Sequence, residues 1–208
     1  MTAPRVIGVV LAGGASTRFG ADKLAVDVGG RPLLHRSVDA LAAVADHVIV
    51  VIGPDAAIPS LPAGLIGRVS IARDPVAYGG PLAGLAAGLQ AAVATTGGDP
   101  RTIALVVGGD MPTLVSGVLR LLAEALDGDE ALVAMTLAAS EDPPLPMAIR
   151  PGAVAAAEEL LLAGRRSLRG LLAAVPSATV PEPTWRTLDP DGQTLRDIDR
   201  PGDIDALA

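Results

Sequence analysis

The chain has 208 residues, half of them apolar, and a formal net charge of −7 at pH 7. This length and apolar content suit one well-filled core, so we expect residues 1–208 to form a single domain. The acidic balance and the lack of a Lys/Arg run argue against nucleic acid as a partner. The chain contains no cysteine, which excludes disulfides and thiolate chemistry. Its apolar runs fall short of the roughly 18 residues of a membrane span, and we expect a soluble, cytoplasmic protein.

Five apolar runs rich in branched residues predict β-strands: Val6–Leu11, His47–Ile52, Val69–Ala72, Ile103–Val107 and Ala131–Thr136. Runs that are apolar at every position are typical of parallel strands covered on both faces. Helical patterns are found at Leu33–Val44, Leu82–Ala94, Leu114–Leu126, Ala153–Leu162 and Ser167–Val175. The alternation predicts an α/β fold, a three-layer, Rossmann-like α/β/α arrangement around a doubly wound and mostly parallel sheet. Such sheets bind ligands beyond the carboxyl ends of their strands.

Two proline-rich segments interrupt this alternation. Pro143–Pro146 separates the fifth strand from the next helix, and a second cluster lies within Pro176–Pro190. Because proline is confined to turns and sheet edges, we expect the second segment to be irregular or an edge strand.

A glycine-rich loop follows the first strand and ends at Lys23, the only lysine of the chain. Glycines such as Gly13 and Gly14 let the backbone approach a ligand and direct N–H groups at anionic oxygens. Arg18 and Lys23 would supply countercharge, and a compact ammonium reaches a phosphate differently from a guanidinium. The spacing matches neither a P-loop nor a dinucleotide fingerprint. The loop predicts a nucleotide polyphosphate site, the alternative being an ordinary connection.

Asp110 follows the fourth strand and two glycines, in the sequence Gly-Gly-Asp-Met-Pro. An acid at this position faces the ligand crevice, where a divalent cation bridging carboxylate and phosphates would bind. The alternative is a helix N-cap ahead of Leu114, although Thr113 is better placed for capping.

The stretch from Asp74 to Gly84 joins the third strand to a helix and contains Gly80. Its glycines permit close backbone approach, and a helix N-terminus favours an anion; a plain turn is the alternative. His35 and His47 show no catalytic pairing with an acid or a nucleophile in the sequence, so we expect structural roles.

Four motifs together resemble the MobA-like nucleotidyltransferases, which build nucleotide forms of the molybdenum cofactor, and within them the guanylyltransferases in particular. The motifs are Leu11–Lys23, Gly30–Leu34, Gly80–Gly84 and Gly109–Pro112. Further similar segments are Pro146–Arg150, Gly164–Leu168 and Leu195–Ile204, so the resemblance extends nearly end to end.

The resemblance implies that the phosphate of a molybdopterin-type cofactor attacks the α-phosphate of GTP and that pyrophosphate leaves. It assigns nucleotide contacts to Leu11, Ala12, Gly13, Gly14, Lys23, Asp74, Gly80 and Asp110. Arg18, Lys23 and Asp110 would be the catalytic residues, with Mg²⁺ on Asp110. It also implies two small-molecule substrates, GTP and the molybdopterin cofactor, and transient contact with molybdoenzymes or their chaperones.

Several positions depart from the family pattern. Phe19 replaces a usual Met and Gly109 a frequent Cys, while Gly53, Asp197 and Asp199 stand where Asn is common. Because Asp lacks the amide donor of Asn and adds charge, the choice between guanine and cytosine stays open. A cytidylyltransferase, a transferase for another phosphorylated acceptor, and a non-catalytic nucleotide or cofactor carrier are the alternatives. We expect Ala139–Arg150 to line the acceptor pocket.

Overall fold

A computed structural model describes residues 3–13, 23–75, 79–141, 143–198, 200 and 202–205. Within these ranges seven strands form one sheet: β1 Val6–Leu11, β2 His47–Ile52, β3 Val69–Arg73, β4 Ile103–Gly108, β5 Ala134–Leu137, β6 Met147–Ile149 and β7 Ser177–Val180. Their order is β3-β2-β1-β4-β6-β5-β7. Only β6 runs antiparallel to its neighbours among these strands. The predicted mostly parallel α/β sheet is confirmed.

Helices cover both faces of the sheet. The described helices are α1 Leu33–Ala42, α2 Pro81–Thr96, α3 Ser116–Asp127, α4 Val154–Leu162, α5 Leu168–Leu172, α6 Glu182–Trp185 and α7 Gly202–Asp205. Since side chains alternate along a strand, Val10 faces the apolar cluster under α1 and α3, whereas Val9 faces the cluster under α2, α4 and α5. The expected three layers are therefore present.

Helix α2 lies unusually close to the sheet. A Cβ added at Gly88 would stand 2.6 Å from Val9 Cγ1 and 3.1 Å from Val51 Cγ2. The glycine therefore allows the helix to approach β1 and β2 at a distance that any side chain would prevent.

The second half of the chain differs most from the sequence prediction. The run 131–136 gives a shorter strand, β5, that begins at Ala134, and β6 was not predicted, because its three residues directly follow the proline-rich segment. The proline-rich region 176–190 contains β7 at the sheet edge, which confirms that expectation. In the described part of the chain, no helix has both the length and the apolar character required to cross a bilayer.

Candidate functional site

The carboxyl ends of β1, β2 and β4 are joined by close backbone contacts. Gly109 N donates to Leu11 O at 3.0 Å, and Ala12 N donates to Val51 O at 2.8 Å. A Cβ added at Gly109 would stand 3.4 Å from Leu11 O and 3.2 Å from the Leu24 side chain. The start of the glycine-rich loop, its returning end at Leu24 and the turn before Asp110 therefore meet at one edge of the sheet.

The structure describes only part of the glycine-rich loop. Leu11 ends β1, and Ala12 and Gly13 follow it. Gly14 and Arg18 lie outside the described residues, as do Phe19 and the rest of 14–22. Lys23 is described as the first residue of a 3-10 turn, Lys23–Ala25, without a description of its side chain. Because Leu24 packs on Gly109, the backbone of Lys23 returns to the turn that carries Asp110.

Asp110 occupies a turn that is held from two directions. Ser37 of α1 donates through Oγ to Met111 O at 3.0 Å and lies 3.3 Å from Gly109 O. From the C-terminal segment, Ile198 N donates to Asp110 O at 3.0 Å. A Cβ at Gly108 would collide with Asp110 Oδ1, so the glycine preceding this turn leaves room for the carboxylate. Asp110 is partly buried.

The alternative role of Asp110 as a helix cap is excluded. Helix α3 begins at Ser116, with Val115 at the N-cap position and no side-chain cap bond. Val115 N instead donates to Thr194 Oγ1 at 3.1 Å, and Thr113 Oγ1 donates to Gln193 O at 2.7 Å. The start of α3 is therefore fixed by a distant segment and not by Asp110.

This distant segment, residues 189–198, was only partly recognised in the sequence. Its carboxylate Asp189, 3% exposed, accepts hydrogen bonds from Gln193 N at 2.9 Å and from Thr194 N at 2.7 Å. Ile198 is buried with Val28 and Leu33. The sequence analysis had noted Asp197 and Asp199. Asp197 precedes Ile198, whose backbone N donates to Asp110 O. Asp199 lies outside the described residues. The Asp-Pro-Asp-Gly turn at 189–192 was the available signal for a structural carboxylate at 189.

Asp74 lies at the carboxyl end of β3, where it is 9% exposed. Its backbone N donates to Ile52 O at 2.9 Å, which places it beside the end of β2. Gly80 has φ +81° and directly precedes Pro81, the first residue of α2. A Cβ at Gly80 would stand 3.0 Å from Arg166 Cβ, and Leu82 N donates to Arg166 O at 3.2 Å. The Gly80 turn is therefore packed against the connection between α4 and α5.

An open cleft of about 610 Å³ borders this turn, and its lining residues are Pro81, Pro144, Arg166, Ser167, Leu168 and Arg169. Arg169 Nη2 also donates to Glu141 O at 2.7 Å, which ties α5 to the segment between β5 and β6. Of the stretch 139–150 that we expected to line an acceptor pocket, Pro144 lines this cleft. Two guanidinium groups beside apolar walls could hold an anionic ligand that also has an uncharged part.

The two histidines bond to serines that are not among the predicted site residues. His35 Nε2 lies 2.9 Å from Ser60 O, and His47 begins β2 at the opposite end of the sheet, where its Nε2 lies 2.8 Å from Ser70 Oγ. Partial burial lowers the pKa of His47, and the positive charges of Arg5 and Arg68 lower the pKa further.

Solved structures share this fold. A crystal structure from Archaeoglobus fulgidus, titled molybdopterin-guanine dinucleotide biosynthesis protein A, superposes with a TM-score of 0.74 at 19% identity, covering 97% of this chain and 96% of the other. A nucleotidyl transferase from Methanothermobacter gives a TM-score of 0.67 at 24% identity, with coverages of 98% and 95%. The fold is therefore that of the nucleotidyltransferase type of α/β protein.

The sequence itself defines the family. Residues 8–180 match the family model described as MobA-like NTP transferase domain. Over 201 residues the chain is 31% identical to a Chloroflexus aggregans protein named probable molybdenum cofactor guanylyltransferase, an alignment that covers 95% of this chain and 90% of that relative. The chain belongs to the MobA-like NTP transferase family.

Proposed function

We propose that this protein transfers GMP from GTP to the phosphate of a molybdopterin-type molybdenum cofactor and releases pyrophosphate. The observation that carries the proposal is the meeting of the glycine-loop ends with the Asp110 turn, through the Gly109 to Leu11 bond of 3.0 Å and the packing of Leu24 on Gly109. The name of the Chloroflexus relative supports the guanylyl assignment.

The nucleotide would bind along the carboxyl ends of β1, β3 and β4. In the proposal, the backbone of Leu11, Ala12, Gly13 and Gly14 contacts the base and phosphates, and Asp74 and Gly80 complete the nucleoside side. Arg18 and Lys23 would neutralise the polyphosphate. The position of Asp74 supports this arrangement. Its backbone N donates to O of Ile52, the last residue of β2, and β2 pairs with β1.

Asp110 would hold Mg²⁺. The residue fits this ion because a carboxylate supplies hard oxygen ligands and is partly buried at the ligand edge. In the described ranges no three His, Cys, Asp or Glu residues form a metal-binding group, and Mg²⁺ is commonly held by one or two carboxylates together with substrate phosphates. When bound, the ion would stabilise negative charge on the phosphates.

The acceptor would occupy the cleft beside the Gly80 turn. Arg166 and Arg169 offer charge to the acceptor phosphate, while Pro144 and Leu168 offer apolar surface. An oxygen of that phosphate forms a bond to the α-phosphorus of GTP, and the bond from that phosphorus to the bridging oxygen breaks, so pyrophosphate carries away the electron pair. The protein contributes alignment of the two phosphates and charge neutralisation rather than a covalent intermediate.

The same geometry is compatible with the alternatives left by the sequence. A cytidylyltransferase would use the same loop and Asp110 with a different base contact, and another phosphorylated acceptor could fill the cleft. A carrier would bind nucleotide or cofactor without turnover. For the proposed enzyme we place the reaction in the cytoplasm, with transient delivery of the product to molybdoenzymes or their chaperones.

The deciding experiment is a transfer assay with purified protein, the pterin acceptor and GTP, CTP or ATP, each with and without Mg²⁺. Pyrophosphate release and dinucleotide product with GTP and Mg²⁺ alone are expected. Product from CTP would move the assignment to a cytidylyltransferase, and nucleotide binding without pyrophosphate release would favour a carrier. Full activity of both Lys23→Ala and Asp110→Ala variants would contradict the residue assignment.

A further inference from the structure

The loop after β2, residues 53–57, is held by a single arginine. Arg73 ends β3, and its Nη1 lies 3.1 Å from Gly53 O, 2.8 Å from Pro54 O and 2.9 Å from Ala56 O. One guanidinium nitrogen thus serves three backbone carbonyls. Because the donor is charged, these bonds are stronger than those between neutral groups.

This loop lies beside the proposed nucleoside end of the site. A Cβ added at Gly13 would stand 3.7 Å from Gly53 N and 3.9 Å from Ile52 C, so the start of the glycine-rich loop faces it. On its other side, Asp74 N donates to Ile52 O at 2.9 Å. The loop 53–57 is therefore next to both backbone elements that the proposed function assigns to the nucleoside.

The loop has little internal support. Its turn is closed by a long bond from Ala56 N to Gly53 O at 3.3 Å, Pro54 has no N–H to donate, and residues 55–57 are exposed. Gly53 and Ala56 also offer no polar side-chain atom. A base beside this part of the loop would meet mainly backbone, whose position depends on what holds its carbonyls.

Arg73 also sets the direction of the loop's donors. In a trans peptide the N–H points opposite to the C=O. Since the carbonyls of Pro54 and Ala56 turn toward Arg73, the N–H groups of Asp55 and Ala57 turn away from the guanidinium. Donors discriminate between bases only if they cannot move to suit a poor match, because rejection comes from polar groups left unpaired.

We infer that Arg73 is a positioning residue that sets the base selectivity of the nucleotide site by fixing the loop 53–57. This inference rests on the proposed function, because it requires that a nucleoside occupies this edge. Arg73 acts through the loop and needs no contact with the phosphates or the acceptor.

Arg68 provides a matched control. Its Nη2 donates to Ala42 O at 2.9 Å and to Ala45 O at 2.8 Å, so it also pins backbone carbonyls. Arg68 precedes β3, whereas Arg73 ends it, so the two arginines lie at opposite ends of the same strand. Loss of either side chain should loosen the backbone, but only loss of Arg73 should loosen the nucleoside end.

The test compares wild type with Arg73→Met, Arg73→Lys and Arg68→Met. Dissociation constants for GTP, ITP and CTP are measured by calorimetry with Mg²⁺, kcat and KM by the transfer assay, and folding by thermal unfolding. We expect Arg73→Met to weaken binding of the preferred nucleotide about tenfold and to reduce selectivity over the other two about tenfold, at nearly unchanged kcat. Arg73→Lys should restore most of the selectivity, because an ammonium offers three donors. Arg68→Met should lower the unfolding midpoint only.

Two results would overturn the inference while leaving the proposed function intact. Unchanged selectivity among the nucleotides in a folded Arg73→Met variant would show that base selectivity does not depend on the hold of Arg73 on the loop 53–57. An equal loss of selectivity in Arg68→Met would attribute the effect to general loosening. If wild type bound none of the three nucleotides, the proposed function itself would fail.

Discussion

The two parts of the candidate site are built in different ways. At the ends of β1 and β4, adjacent segments are joined by backbone bonds such as Gly109 N to Leu11 O at 3.0 Å, and glycine makes the approach possible. Around the open cleft, the walls come from the first turns of α2 and α5 and from nearby connections, and a side chain joins them through the bond from Arg169 Nη2 to Glu141 O. Backbone contacts tolerate changes of sequence, whereas side chains at such positions can be exchanged to suit another ligand. Under the proposed function, nucleotide and acceptor recognition could therefore change independently.

The largest expected effect tests the backbone-built part. We expect Asp110→Asn to reduce transfer by about a hundredfold or more, because it removes the negative charge that would hold Mg²⁺ against the phosphates. The measurement is kcat/KM for GTP across a Mg²⁺ titration. Asp127→Asn, the same change at the far end of α3, should leave kcat/KM unchanged; activity of Asp110→Asn within threefold of wild type would refute the role.

A second variant tests the cleft alone. Arg169→Met removes a cation and the tie to Glu141 O, so we expect KM for the pterin acceptor to rise about tenfold. The dissociation constant of GTP should stay constant, as measured by calorimetry. The control is Arg120→Met on α3. A parallel loss of GTP affinity would show that the two parts are not independent.

The packing beside the cleft is tested at Gly80, which has φ +81° and packs on Arg166. Gly80→Ala should lower the free energy of unfolding by about 1–3 kcal/mol, because alanine is strained at positive φ and its Cβ meets Arg166. Gly97→Ala is the control, since Gly97 has φ +67° with nothing within 4 Å of its added Cβ. Chemical denaturation should show the larger loss at Gly80. Equal losses would mean that backbone strain accounts for both.

The smallest effect lies away from both parts. His47 has a lowered pKa in the folded protein, from partial burial and then from Arg5 and Arg68, so the unfolded chain binds a proton more readily. Stability is therefore unaffected above the ordinary pKa of 6.5 and falls as the pH drops below it. Unfolding midpoints at pH 7.5 and at pH 5.5 should differ less in His47→Gln than in wild type. An equal change of the unfolding midpoint between the two pH values in wild type and in His47→Gln would contradict this expectation.

The first half of the molecule was predictable from local patterns. Runs such as Val6–Leu11 are apolar throughout because helices cover both faces, and the Gly-Gly-Asp sequence ending at Asp110 marks the end of a buried strand. These signals lie within a few residues of the features they predict, so the strands and the position of Asp110 could be found directly.

Long-range features could not be found in the same way. Strand β6 has three residues and depends on its neighbours β4 and β5 for its pairing. The bonds from Val115 N to Thr194 Oγ1 and from Ile198 N to Asp110 O join segments about 80 to 90 residues apart. In the sequence, Arg73 could not be distinguished from any other exposed arginine. The three carbonyls that it contacts lie in the loop after β2, about 20 residues earlier in the chain. No local pattern encodes such contacts.

The antiparallel strand β6 has a consequence for the rate of folding. Strands β1 to β4 pair with one another through parallel registers, whereas within the described sheet β5 and β7 are linked to them through Met147–Ile149, which bonds to β4 on one side and to β5 on the other. A three-residue strand is thus the seam of the sheet, although the apolar clusters on both faces run across it, and non-local pairing of this kind slows folding. Hydrogen-exchange rates of those three amides report how often the sheet opens at the seam.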